Sequence, residues 1–60
     1  METLIKRAGA YWTSSKGELF AWDEENEVFL SVRSARPFSI LQRIDEDTAV
    51  IAPYFVRLHA

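Results

Sequence analysis

Sixty residues carrying seven Lys and Arg against nine Asp and Glu have a formal charge of −2, which is not the basic balance of a typical nucleic-acid binder. The absence of cysteine excludes a disulfide framework and a cysteine-ligated zinc, and is compatible with a reducing compartment. One small domain spanning residues 1–60 is expected. A chain of this length buries only about 60% of the surface its unfolded form exposes, so two Trp, two Tyr and four Phe must supply much of the bulk.

Taken in order, Met1 to Gly9 offers Leu4 and Ile5 followed by Lys6 and Arg7, and reads equally as one helical turn or a first strand. Gly9 marks a change of direction. Tyr11, Trp12 and Thr13 are strand formers, and Ser15-Lys16-Gly17 is a turn in which glycine supplies a positive φ. Tyr11 to Ser14 then pairs with Glu18 to Trp22 as a first hairpin.

The stretch Glu18 to Arg33 is a second hairpin around Asp23-Glu24-Glu25-Asn26, residues suited to a turn and not to a core. With those four as the loop, Trp22 pairs with Glu27, Ala21 with Val28, Phe20 with Phe29, and Leu19 with Leu30. Side chains alternate along a strand. Leu19, Ala21, Val28, Leu30 and Val32 therefore share one face, expected to meet the core. The other face collects Glu18, Phe20, Trp22, Glu27, Phe29, Ser31 and Arg33. Three aromatics flanked by charge make that face the expected outward surface.

Pro37 lacks an N–H and biases Arg36 toward extended geometry, so Ser34 to Pro37 is a corner or edge bulge. Phe38 to Ile44 reads as a strand; the alternative is a helix over residues 39–46, with Ser39 as N-cap and Gln42 three residues on. Asp45-Glu46-Asp47 is a tight turn and Thr48 to Ala52 a β-rich segment. Pro53 stops the ladder, and Tyr54 to Leu58 restarts an extended pattern. Five or six short strands with closely spaced turns predict an all-β fold: a small SH3-like barrel or a strongly bent antiparallel sheet. The alternative is α+β. The eight residues Ile51-Ala52-Pro53-Tyr54-Phe55-Val56-Arg57-Leu58 resemble the way SH3 domains end, with a proline, an aromatic and a last short strand. That resemblance implies the barrel. The acidic loop and paired tryptophans of a peptide-binding SH3 domain have no counterparts in order, so it assigns no binding residues.

Chemistry is sparse. His59 is the lone histidine, without an obvious second ligand or orienting group. The acidic runs at 23–25 and 45–47 lack the alternating oxygens and glycine of a calcium loop and read as solvated turns. If both lie at one end of a barrel, they form an acidic rim that repels nucleic acid or attracts a basic partner. Ser14, Ser15 and Ser34 lack an activating base. Two glycines cannot build a phosphate loop. No enzymatic activity, metal or cofactor is expected. No apolar run follows Met1, and no stretch reaches the roughly 18 residues of a membrane span, so a cytoplasmic protein without membrane association is expected.

What remains is binding. Phe20, Trp22, Phe29 and Arg33 form the expected contact surface for a protein partner, because aromatics and arginine dominate interface hot spots. A small regulator or accessory protein is the resulting expectation. The competing class is a small nucleic-acid-binding barrel using Arg33, Arg36 and Arg43 with stacked aromatics. The bland reading is that the aromatics fill the barrel or a homodimer interface. A homodimer burying Phe20, Trp22 or Phe29 would also answer the 48% hydrophobic content.

Overall fold

The computed structural model describes residues 1–54, and within them every regular element is a strand. These are β1 (Glu2–Ala8), β2 (Tyr11–Ser14), β3 (Leu19–Asp23), β4 (Val28–Ser31), β5 (Pro37–Asp45) and β6 (Thr48–Pro53). Each strand pairs with its sequence neighbour, and β6 returns to β1, so the meander closes into a barrel in the order β1-β2-β3-β4-β5-β6 with all pairs antiparallel. The small-barrel expectation holds, with six strands. Met1 to Gly9, open between helix and strand, is strand β1. Residues 39–46 are strand and turn, not helix. Closure removes the exposed edges that a short open sheet would present.

The turns follow from local chemistry. Gly9 (φ 57°) and Gly17 (φ 83°) take the left-handed conformations that reverse the chain after β1 and β2. Ser14 Oγ accepts from the backbone N–H of Lys16 at 3.3 Å and of Glu18 at 3.2 Å, fixing the second reversal. Ala35 (φ 60°) bends the corner before Pro37. The tight turn at Asp45–Asp47 is capped by Asp45 Oδ1, which accepts from the N–H of Asp47 at 2.8 Å.

The central hairpin differs from expectation in register and in orientation. Asp23 pairs with Val28, Trp22 with Phe29, Ala21 with Leu30 and Phe20 with Ser31. This is a slip of two residues from the expected pairing. A slip of two keeps every strand side chain on its face, so the groupings survive within β3 and β4, while Glu18, Glu27, Val32 and Arg33 lie outside these strands. Their orientation is reversed. Phe20 and Phe29 are fully buried and Ser31 is 1% exposed, whereas Leu19 and Val32 are exposed and Ala21, Val28 and Leu30 only half-buried. The aromatic face is the interior and the aliphatic face the outer wall. A barrel of short strands has room for few side chains, and the rings of Phe20 and Phe29 supply more buried volume than the smaller Ala21, Val28 and Leu30 on the opposite face. Leu4, Trp12, Phe20, Phe29, Ala49 and Ile51 form the core, with Trp22, Phe38 and Ile40 packed against it. Ser31, enclosed among them, donates its hydroxyl to Glu18 Oε2 at 2.7 Å, so its burial leaves no orphaned oxygen.

The simple alternation expected for β5 also fails beyond Ile40. The register with β6 shifts between Ile40 and Gln42 and again between Arg43 and Asp45. Bulges of this kind bend a strand. Residues 41–47 are exposed throughout. The extended segment expected to run on to Leu58 lies beyond the described residues after Tyr54.

Candidate functional site: the tryptophan mouth

Alternate hairpin turns of an up-and-down barrel share an end. The β1–β2 turn at Gly9-Ala10, the β3–β4 turn and the β5–β6 turn therefore meet at one mouth. Its floor is formed by Trp12 and Trp22, which close the interior from this side. Trp12 packs edge-on to Phe29 with ring centroids 5.1 Å apart, and Trp22 lies 4.9 Å from the same ring at a 60° tilt. Trp12 is 5% exposed, while Trp22 remains half-buried and accessible from the mouth. The Trp22 N–H donates to the Ala10 carbonyl at 2.8 Å, which carries the β2–β3 ladder one position further toward the mouth. The walls add Lys6, Gly9, Glu24, Arg43 and Glu46 around a cavity of about 300 Å³. Arg43 reaches this place because the first β5 bulge sets it opposite Ala49, an interior position.

The rim is strongly acidic. Asp23, Glu24, Glu25, Glu27, Asp45, Glu46 and Asp47 all lie on the two turns flanking the mouth, seven of the nine carboxylates in the chain. The acidic rim anticipated from the two runs is thus the arrangement found. Asp23 is held in place by its turn. Its Oδ2 accepts from Asn26 Nδ2 at 2.9 Å, and Oδ1 accepts from the N–H groups of Glu25 at 3.1 Å and Asn26 at 3.3 Å. The Asn26 side-chain bond, with these backbone donors, holds the Asp23 carboxyl below the ordinary aspartate value against a smaller opposing desolvation. Among the described residues, no group of three or more His, Asp or Glu is arranged to hold a metal ion.

The expected contact surface does not exist as one face. Phe20 and Phe29 are interior and present nothing to a partner. Trp22 alone of the three aromatics reaches solvent. Arg33 does not share their face: β4 ends at Ser31, and Arg33 sits in the exposed turn at the opposite end of the barrel, beside Lys16, Gly17, Glu18, Leu19 and Val32. The arginines considered for nucleic acid are divided as well. Arg33 and Arg36 belong to that far end, and Arg43 belongs to the mouth. Trp12 was not singled out from sequence, although the pairing of Tyr11 to Ser14 with β3 places it directly across from Phe20. That pairing was the signal that could have found it. His59 and Arg57 lie outside the described residues.

Among the described residues, no helix is long and apolar enough to cross a membrane. No protein-family model matches the chain, and neither a curated protein nor a solved structure is measurably similar to it.

Proposed function

We propose that this barrel is a non-catalytic binding module, a small regulator or accessory protein that takes a protein partner at its tryptophan mouth. The observation that carries the reading is the coincidence of Trp22, the only partly accessible aromatic of the hairpin interior, with two carboxylate-rich turns and Arg43 around one concavity. Trp and Arg are the residues most enriched at interface hot spots. The acidic rim favours a partner segment with positive charge near an apolar anchor. Lys6 and Arg43 supply donors for that segment's carbonyl or carboxylate groups. The same rim repels phosphate, so a nucleic-acid reading has to rest on Lys16, Arg33 and Arg36 at the far end.

The test is affinity capture with the immobilised protein from extracts of its source cells, with nuclease-treated extract in parallel. A partner protein should be retained after nuclease treatment and lost with Arg43→Ala and with the double variant Glu24→Gln, Glu46→Gln. These three side chains are exposed, so the substitutions leave the core intact. Retention abolished by nuclease, or lost only with Arg33→Ala and Arg36→Ala, would reject the reading.

A further inference from the structure

The closure that hides the other strand edges stops short on β5, which outruns the strand closing against it. β4 pairs with β5 only at Phe29–Phe38 and Leu30–Pro37, and β4 begins at Val28 because Glu27 (φ 55°) belongs to the β3–β4 turn. β5 runs on to Asp45 and keeps β6 on its other side as far as Asp45–Thr48. Which groups face the gap follows from alternation along the ladder. The Arg36 carbonyl accepts from the Ser31 N–H of β4, and the Pro37 carbonyl accepts from the Tyr54 N–H on the β6 side. Phe38 and Ile40 therefore aim their N–H and C=O groups toward β4. Among the described residues, no strand residue opposes Ile40 there. From Ile40 to Asp45, at about 3.3 Å per residue, the uncovered edge is roughly 20 Å long.

Both faces of this gap are concave. On the inner side lies the mouth, with Trp22, Glu24, Arg43 and Glu46. On the outer side a second concavity of about 500 Å³ follows the β4–β5 seam past Val28, Leu30 and Ser39 to Asp23 and Glu27. We propose that the free edge of β5 receives an extended basic segment of the partner protein by strand addition. An added strand sends alternate side chains to opposite faces, here one set into the mouth and the other into the seam groove. Carboxylates stand on both, Glu24 and Glu46 on one face and Asp23 and Glu27 on the other, so Lys or Arg side chains find opposite charge on either. Leu41 and Ile44, 56% and 55% exposed, add apolar contact along the same strand. The basic character of the partner rests on the mouth reading; the edge adds that the partner is held by its backbone as well as by its side chains.

The probe is a short peptide alternating Lys and Val, acetylated and amidated, beside the same sequence N-methylated at every residue, which keeps the charges but cannot donate to a ladder. Both are titrated into the full chain and followed on its backbone amide signals. The Ile40 amide should exchange freely in the chain alone and at least about tenfold more slowly when the first peptide saturates it. The N-methylated peptide should bind at least about tenfold more weakly, the order of two lost main-chain hydrogen bonds. The double variant Glu24→Gln, Glu46→Gln should weaken the first peptide as well. Equal affinity for the two peptides, with binding lost in the double variant, leaves the mouth in place and overturns strand addition. Discrimination between the peptides that persists while the double variant binds like the native chain keeps the edge and removes the mouth. An Ile40 amide already protected in the chain alone shows the edge taken, by residues 55–60 or by a second copy, and overturns the proposal, as does no binding of the first peptide at about 1 mM.

Discussion

Phe29 touches both tryptophans and lies on the strand beside Phe20, so the residue scale is best argued from it. Its ring is fully buried between Trp12 and Trp22, while Phe20 meets Phe38 edge-on at 5.1 Å. Phe29→Ala should cost about 3–5 kcal/mol of stability, the transfer loss plus the cavity that remains. In a sixty-residue barrel that is enough to unfold much of the population. Leu19→Ala, on the outer wall, should cost well under half as much in the monomer. Urea unfolding of the two variants checks the contrast. Equal losses would mean that the wall, too, is core. At Asp23 the chemistry is electrostatic. Because its carboxyl is depressed in the fold, the bonds it makes stabilise above the unfolded pKa. That contribution is lost as the pH falls through the folded value. A carboxyl ¹³C titration should place Asp23 below 3.8, the ordinary aspartate value. The stability gap between the native chain and Asp23→Ala should narrow as the solution is acidified, and a gap independent of pH would mean that the carboxylate does not act as the cap.

At the scale of elements, the hairpins, the turn positions and the grouping of faces were legible, and the orientation of the faces was not. Alternation groups Phe20 and Trp22 with Phe29 and Ser31 whatever the two-residue slip does, because parity is conserved. Which group faces inward depends on what closes against it, and that is set by β1, β5 and β6 together. Glu18, Glu27 and Arg33 flank the aromatics in sequence and suggested exposure, but all three lie outside β3 and β4. The β5 bulges escaped notice because an extra residue in one strand is defined only against its partner. They are also what delivers Arg43 to the mouth. The β4–β5 seam is the weak point of the closure. Only Phe29 with Phe38 and Leu30 with Pro37 pair there, and Pro37 brings no N–H. Amide exchange should therefore be faster for Phe29 and Phe38 than for Leu4, Ala49 and Ile51, where β1 and β6 pair over four residues in register. Uniform protection around the barrel would mean that it opens only as a whole.

For the whole molecule, charge is arranged along the barrel and not scattered over it. The chain's net −2 conceals an uneven distribution: seven carboxylates with Lys6 and Arg43 at the mouth, and Lys16, Arg33 and Arg36 with Glu2 and Glu18 at the far end. A partner taken at the mouth would meet mainly carboxylates, whereas a nucleic acid would find more favourable charge at Lys16, Arg33 and Arg36. The two cases separate by salt. Neutralising phosphates releases counterions, so log–log plots of affinity against salt fall by roughly 0.7–0.9 per contact, and binding through Lys16, Arg33 and Arg36 should give a slope of about −2 to −3. A protein segment anchored on Trp22 should show a shallower slope, because its apolar contact is not screened. In that case Arg43→Ala should cost about 2 kcal/mol of affinity, as a truncated hot spot does, and Arg33→Ala close to nothing. Trp22→Ala should cost at least as much as Arg43→Ala, provided the variant is first shown to fold, since its ring also packs on Phe29. A slope of about −2 or steeper, with Arg33 and Arg36 outweighing Arg43, would place the binding surface at the opposite end of the barrel.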